Sequence, residues 1–196
     1  ALEAKDENGN DFLIKAKREI ILTAGAFQSP KLLMLPGIGP SEELARHGID
    51  LVQHAPEVGA NLQDHIGTPV TAHLTQPLGF HGQDKGLAAL KHGYDYWLRG
   101  KGLLTSNPLD AGACVDTNGS GRPDVQYNIS GFAPGAPGQP PLACHAVQIH
   151  PMTMRPASKG YLGLKSSDPS EAPKVHSSVL DQEADMDTLR RGIRLA

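Results

Sequence analysis

Glu19-Ile20-Ile21-Leu22-Thr23-Ala24-Gly25-Ala26-Phe27-Gln28-Ser29-Pro30 passes from an unbroken apolar run, through small residues, to a hydroxyl–proline pair. A continuous apolar run of this length reads as a strand buried on both faces. Ser29 followed by Pro30 reads as a helix start, with a hydroxyl at the N-cap and proline at the first helical position. Lys31 to Leu35 are good helix formers, and Pro36-Gly37 stops them. A strand feeding a helix N-terminus leaves backbone N–H groups and the positive end of a helix dipole beside a tight turn, which suits an anionic ligand. Gly25, Ala24 and Ala26 are small enough to let such a ligand reach the main chain. The same residues would also serve an ordinary strand–loop–helix connection that merely packs closely.

Upstream, Leu2 to Lys5 and Phe12 to Lys17 read as two strands around the turn Asp6-Glu7-Asn8-Gly9-Asn10. Downstream, a short helix is expected from Pro40 or Ser41 to His47, closed by Gly48. A brief strand follows at Leu51 and Val52. The pattern changes near Thr68. From there Val70–Leu74, Asp124–Ile129, His145–Ile149 and Tyr161–Lys165 alternate as strands, and Leu87–Leu98 reads as a helix. Residues 133–141 form a Pro/Gly-rich loop that no sheet interior would accept. Asp185 to Ala196 is helical, with acids early, arginines late and Leu189 and Ile193 four apart. Strands without helical crossovers predict an α+β fold, a mainly antiparallel sheet with helices on one side.

The chain has 196 residues, a net charge of −3, 39% apolar and 20% charged residues. This is a globular composition without the dense basic cluster of a nucleic-acid binder and without an apolar run long enough to span a bilayer. Zinc, Walker, nucleophile-elbow and H-E-x-x-H patterns are absent. Cys114 and Cys144 have no metal-ligand spacing; free, partly buried thiols are expected, with a disulfide left open. His145 and His150 are expected to be structural.

Ala24 to Pro40, taken as the string AGAFQSPKLLMLPGIGP, closely resembles the second signature of the glucose–methanol–choline (GMC) oxidoreductases, with choline-type members nearest. His47-Gly48-Ile49, Pro56-Glu57-Val58-Gly59-Ala60-Asn61-Leu62-Gln63-Asp64-His65 and the Arg155–Pro169 stretch resemble the family's later landmarks in the same order. Pro36 departs from the serine usual there. The resemblance implies a piece of a two-domain enzyme: residues 1–67 as the C-terminal part of a Rossmann-like FAD-binding domain, and 68–196 as an incomplete substrate-binding domain. It implies FAD as cofactor, a small-molecule alcohol as substrate, an unspecified electron acceptor, and hydride transfer to flavin N5 with a histidine base. It places Thr23, Ala24, Gly25 and Ala26 beside the FAD main-chain contacts, with Asp64 and His65 as further cofactor neighbours. Asp64 could instead cap a local turn and His65 pack at a domain junction.

No G-x-G-x-x-G fingerprint is present, and none of the nine histidines matches the family's catalytic position, so no catalytic residue and no metal ligand is nominated. Both ends read as cut through an element, as in a fragment, and the lack of both the fingerprint and the catalytic histidine leads to the expectation that this chain alone is inactive. A non-catalytic ligand- or partner-binding module remains the alternative. A cytoplasmic setting is expected, with membrane association of a longer parent left open.

Overall fold

The computed structural model describes residues 2–107, 109, 111–135 and 138–196. In chain order it contains β1 (Leu2–Lys5), β2 (Asp11–Ile14), α1 (Gly25–Met34), β3 (Ile38–Gly39), α2 (Ser41–Arg46) and β4 (Gln53–His54). Then come β5 (Val70–His73), α3 (Gly86–Arg99), a 3-10 turn at Leu103–Thr105, β6 (Ala111–Val115), β7 (Val125–Ser130) and β8 (Ala146–Thr153). The chain continues with β9 (Tyr161–Gly163), β10 (Lys174–His176) and α4 (Glu183–Leu195). It divides into two compact units, Ala1–Leu62 with Gly160–Ser177, and Gln63–Lys159 with Ser178–Ala196.

In the first unit β1 and β2 pair as the expected antiparallel hairpin, although the return strand ends at Ile14, short of Lys17. The Asp6 carboxylate accepts the N–H groups of Asn8 and Asn10, which is why this turn closes. The unit's core is Met34, Leu44 and Leu164, with Leu35, Ile49 and Val58 packed around them. α1 brings in Met34 and α2 brings in Leu44. Gly39 has to be glycine where the chain crosses them, since a Cβ there would lie 2.9 Å from Met34 Cγ. The Glu43 carboxylate accepts the Leu164 N–H at 2.7 Å, and the buried Lys31 ammonium donates to the carbonyls of Pro169 and Glu171, both at 2.6 Å. Residues 160–177 are thereby tied to the two helices.

α1 begins at Gly25, four residues before the expected start at Ser29, so Pro30 lies inside it. Gly25 has φ +79° and turns the chain into the helix; Ser29 is no N-cap, its Oγ instead accepting the Ala24 N–H at 3.1 Å. One missing donor at Pro30 is tolerated because the tertiary anchors at Lys31 and Met34 outweigh local preference. Glu19–Ala24 forms no strand, and Ile21 is 75% exposed, since an apolar run becomes a strand only with a ladder partner and none pairs with it among the described residues. Leu51 and Val52 are exposed; the short strand is β4, two residues later, parallel to β3.

The second unit is built on a four-stranded antiparallel sheet in the order β5-β8-β7-β6. Tyr161–Gly163 does not join it, contrary to the expectation from alternation. As β9 it pairs with β10 in a separate hairpin, and β6 takes the free edge beside β7. α4 lies on one face of the sheet: the Tyr127 hydroxyl donates to the Gly192 carbonyl at 2.9 Å, and a Cβ on Gly192 would stand 3.1 Å from Val125 and 3.2 Å from Pro151. Asp185, at the head of α4, accepts the N–H groups of Ala157 and Ser158 at 2.7 and 2.8 Å and the Ser158 hydroxyl at 2.5 Å. α3 follows the expected span and closes on Gly100 in the left-handed region. Of the Pro/Gly-rich loop 133–141, Ala136 and Pro137 lie outside the described residues. Both thiols are free, and Cys114 is exposed, not partly buried as expected, because β6 is an edge strand.

Candidate functional site

Thr23, Ala24, Gly25 and Ala26 sit together at the head of α1, and all four are exposed. Ala24 is the N-cap and offers no side-chain hydrogen bond, and the first turn carries no acidic residue. The N–H groups that open this helix are therefore uncapped by any side chain, at the positive end of its dipole. A Cβ built on Gly25 meets nothing within 4 Å. The result is an open main-chain ledge that a negatively charged or strongly polar group can approach closely.

Asp64 and His65 lie in the second unit, on a loop that lines a cleft of about 370 Å³ with Gln63, Met154, Arg155 and Pro156. The loop is pinned on both sides. Gln63 Nε2 donates to the Pro156 carbonyl at 2.6 Å, while Thr153 N–H donates to the Ile66 carbonyl at 2.8 Å. Asn61 enters the loop with φ +58°, its side-chain amide donating to Glu57 at 2.8 Å. Asp64 Oδ1 accepts the N–H of its neighbour His65 at 2.8 Å. Asp64 and His65 are both exposed, and the Arg155 guanidinium in the same cleft donates to the Pro123 carbonyl. The candidate residues thus form two groups, one in each unit.

His145 has a structural partner: Nδ1 lies 3.1 Å from the Gly79 carbonyl, and the ring meets His81 edge-on at 5.4 Å. His150 does not share that setting. It belongs to a row of polar side chains on the sheet face turned away from α4, with Gln126, Asn128 and Gln148, all half-buried. From the sequence Gln126, Asn128 and Gln148 read as plain alternation in a strand, and His150 as structural. The signal was present, since the polar half of the alternation carries amides and imidazole with no lysine or glutamate among them. Among the described residues no three His, Cys, Asp or Glu side chains converge as metal ligands, and no helix is long and apolar enough to cross a membrane.

Residues 1–67 match the family described as GMC oxidoreductase. The oxygen-dependent choline dehydrogenase of Brucella canis is 35% identical over 197 aligned positions, covering 100% of this chain and 36% of that protein. The mitochondrial choline dehydrogenase of Mus musculus is 35% identical over 180 positions, covering 91% of this chain and 30% of its own length. The chain therefore spans about a third of the length of these relatives. Among solved structures, a formate oxidase superposes with a TM-score of 0.87 at 25% identity, over 98% of this chain and 38% of that one. A fungal aryl-alcohol oxidase shares the fold at a TM-score of 0.77 and 20% identity, over 98% of this chain and 40% of its own. The signature string at the head of α1, the similarity along the chain and the shared fold agree: residues 1–67 match the GMC oxidoreductase family, and the chain as a whole is similar to choline dehydrogenases.

Proposed function

We propose that the chain is part of an FAD-dependent oxidoreductase that oxidises an alcohol, of the choline type or another primary alcohol. Residues 1–67 would contribute the C-terminal part of the flavin-binding domain, the tail of a Rossmann-like fold, and residues 68–196 part of the substrate-binding domain. The observation that carries the reading is the uncapped ledge at the head of α1. Its residues fit the cofactor: Thr23, Ala24, Gly25 and Ala26 present main chain without side-chain bulk, and the helix dipole favours the negative charge of a dinucleotide. When bound, FAD supplies the two-electron acceptor that takes hydride at N5 from the carbinol carbon.

The chain's own residues orient and hold. The α1 ledge would grip the cofactor through backbone N–H groups; Asp64 and His65 are proposed separately, as further cofactor neighbours. The hydroxyl proton must pass to a base, and no side chain here is assigned that role. The electron acceptor is likewise unassigned, and we place the enzyme in the cytoplasm. A ledge of four residues leaves little contact area to offset the entropy of immobilising a cofactor, so weak FAD retention and no turnover are expected of the 196-residue chain by itself.

Titration of FAD fluorescence detects such weak binding. Ala24→Asp separates the proposed role from a structural one. An aspartate at the N-cap would satisfy open N–H groups and stabilise α1 by about 1 kcal/mol, yet its charge would repel the cofactor and weaken FAD binding about tenfold. Gly25→Val, placing a branched side chain on the ledge at φ +79°, should weaken it too. Unchanged FAD affinity in both folded variants would remove the proposed contact.

A further inference from the structure

The ledge at the head of α1 is held from two directions. On the near side, Ser29 Oγ accepts the Ala24 N–H at 3.1 Å, which ties the residue before the helix to its second turn. Ledge and helix therefore move as one piece. Two residues on, and so roughly 200° round the helix axis, Lys31 faces the interior of the unit. It is only 6% exposed, and its ammonium donates to the main-chain carbonyls of Pro169 and Glu171, both at 2.6 Å. Met34, one turn further along the same side, is fully buried.

The turn that supplies those carbonyls is itself fixed. Asp168 Oδ1 accepts the Ser170 N–H at 2.8 Å and the Ser170 hydroxyl at 2.7 Å, and the Glu171 N–H donates to the Asp168 carbonyl at 3.3 Å. The Glu171 carboxylate is engaged by Lys165 at 2.8 Å, so it is main chain that meets Lys31. Burying an ammonium is costly, and an apolar side chain of similar length would fill the same space without that cost. What the ammonium adds is direction. Packing at Met34 alone lets a short helix slide or roll a little, whereas two charge-assisted hydrogen bonds to fixed carbonyls select one depth and one rotation. A binding group has to be held within about 0.5 Å of its productive place, so such a roll would misdirect the open N–H groups.

We propose that Lys31 is a positioning residue for the cofactor: by pinning α1 to the Pro169–Glu171 turn, it sets where the N–H groups of Gly25 and Ala26 meet FAD. This rests on the flavin-binding role proposed above for α1.

The test uses the ¹⁵N-labelled full chain and three variants, Lys31→Met, Lys31→Arg and Asp168→Ala. Backbone relaxation reads the order of Gly25 and Ala26 without flavin, FAD fluorescence reads binding, and urea unfolding reads stability. In Lys31→Met the order parameters of Gly25 and Ala26 should fall from about 0.85 towards about 0.6. FAD affinity should fall about tenfold in the same variant, with the urea midpoint little changed. Lys31→Arg keeps a cationic donor and should stay within about threefold of the unaltered chain. Asp168 is exposed, and Asp168→Ala loosens the turn without touching α1. It should show both changes in smaller measure, which keeps the idea testable if Lys31→Met fails to fold. A ledge that stays rigid in the folded variants would overturn the proposal, even if FAD affinity fell, since Lys31 would then act by its charge. A loosened ledge with undiminished FAD affinity would overturn it as well. No FAD response in the unaltered chain would sink the flavin reading of α1 itself, while the relaxation data would still decide whether Lys31 pins the helix.

Discussion

α3 and α4 belong to the same unit and are nearly equal in length, yet they meet their surroundings in opposite ways. α4 turns Asp185, Leu189 and Gly192 into the structure, with Gly192 seated against Val125 and Pro151. α3 buries Asp95 and half-buries Ala88, Ala89 and His92, while Leu87 is 84% exposed and Trp97 83%. Their acids differ in the same sense. Asp95 is held by Lys91 and Arg99, each four residues away on its own helix, at 3.0 and 3.1 Å. Asp185 reaches Ala157 and Ser158, nearly thirty residues back along the chain. One helix is stabilised by its own neighbours, the other by the fold. Amphipathicity announces a helix, but the side that finds a partner is a tertiary matter.

Breaking α4's long-range anchor should have the largest effect. Asp185→Ala leaves a buried N–H, a part-buried N–H and a buried hydroxyl without their acceptor and should cost about 2–4 kcal/mol in urea unfolding. A loss below about 0.5 kcal/mol would show that α4 docks without it. The same carboxylate gives a pH signature. Burial disfavours its charge, but the Ser158 hydroxyl and the Ala157 and Ser158 N–H groups outweigh that and hold its pKa below the ordinary aspartate value. A folded pKa lowered in this way contributes stability that is complete above the unfolded value of about 3.9 and lost as pH falls through the folded value. Asp185→Asn should therefore flatten the acid limb of a stability–pH profile below about pH 4, and an unchanged limb would assign acid unfolding to other groups.

The two mid-helix glycines sharpen the contrast at smaller cost. Gly192→Leu drives a side chain into Val125 and Pro151 and should destabilise by about 1–3 kcal/mol. Gly93, in α3, has nothing within 4 Å of a built Cβ. Gly93→Ala should thus stabilise by about 0.5–1 kcal/mol through helix propensity alone. Thermal melts of both variants decide it. Destabilisation by Gly93→Ala would mean that α3 is packed more closely than its exposed face implies.

Much of this chain was legible residue by residue. The Asn-Gly hairpin, the spans of α2, α3 and α4, and the strands at 70, 125 and 146 follow from turn chemistry, capping and periodicity, which act over a few residues. The string from Ala24 to Pro40 carried the family likeness that the comparisons bear out. What tertiary structure alone decided is what joins distant residues. Tyr161 alternates like the other strands, yet its partner is Val175's strand and not the four-stranded sheet. Glu19–Ala24 has a strand's composition but no ladder, and Ser29-Pro30 has a helix start's chemistry but lies inside a helix that Gly25 begins and Lys31 anchors. The polar face of Gln126, Asn128, Gln148 and His150 exists only because three strands pair in one register and α4 takes the other side. Local patterns tell what a segment can become; the loop-closure and packing free energies that choose its partners are spread over the whole chain and have no local signature.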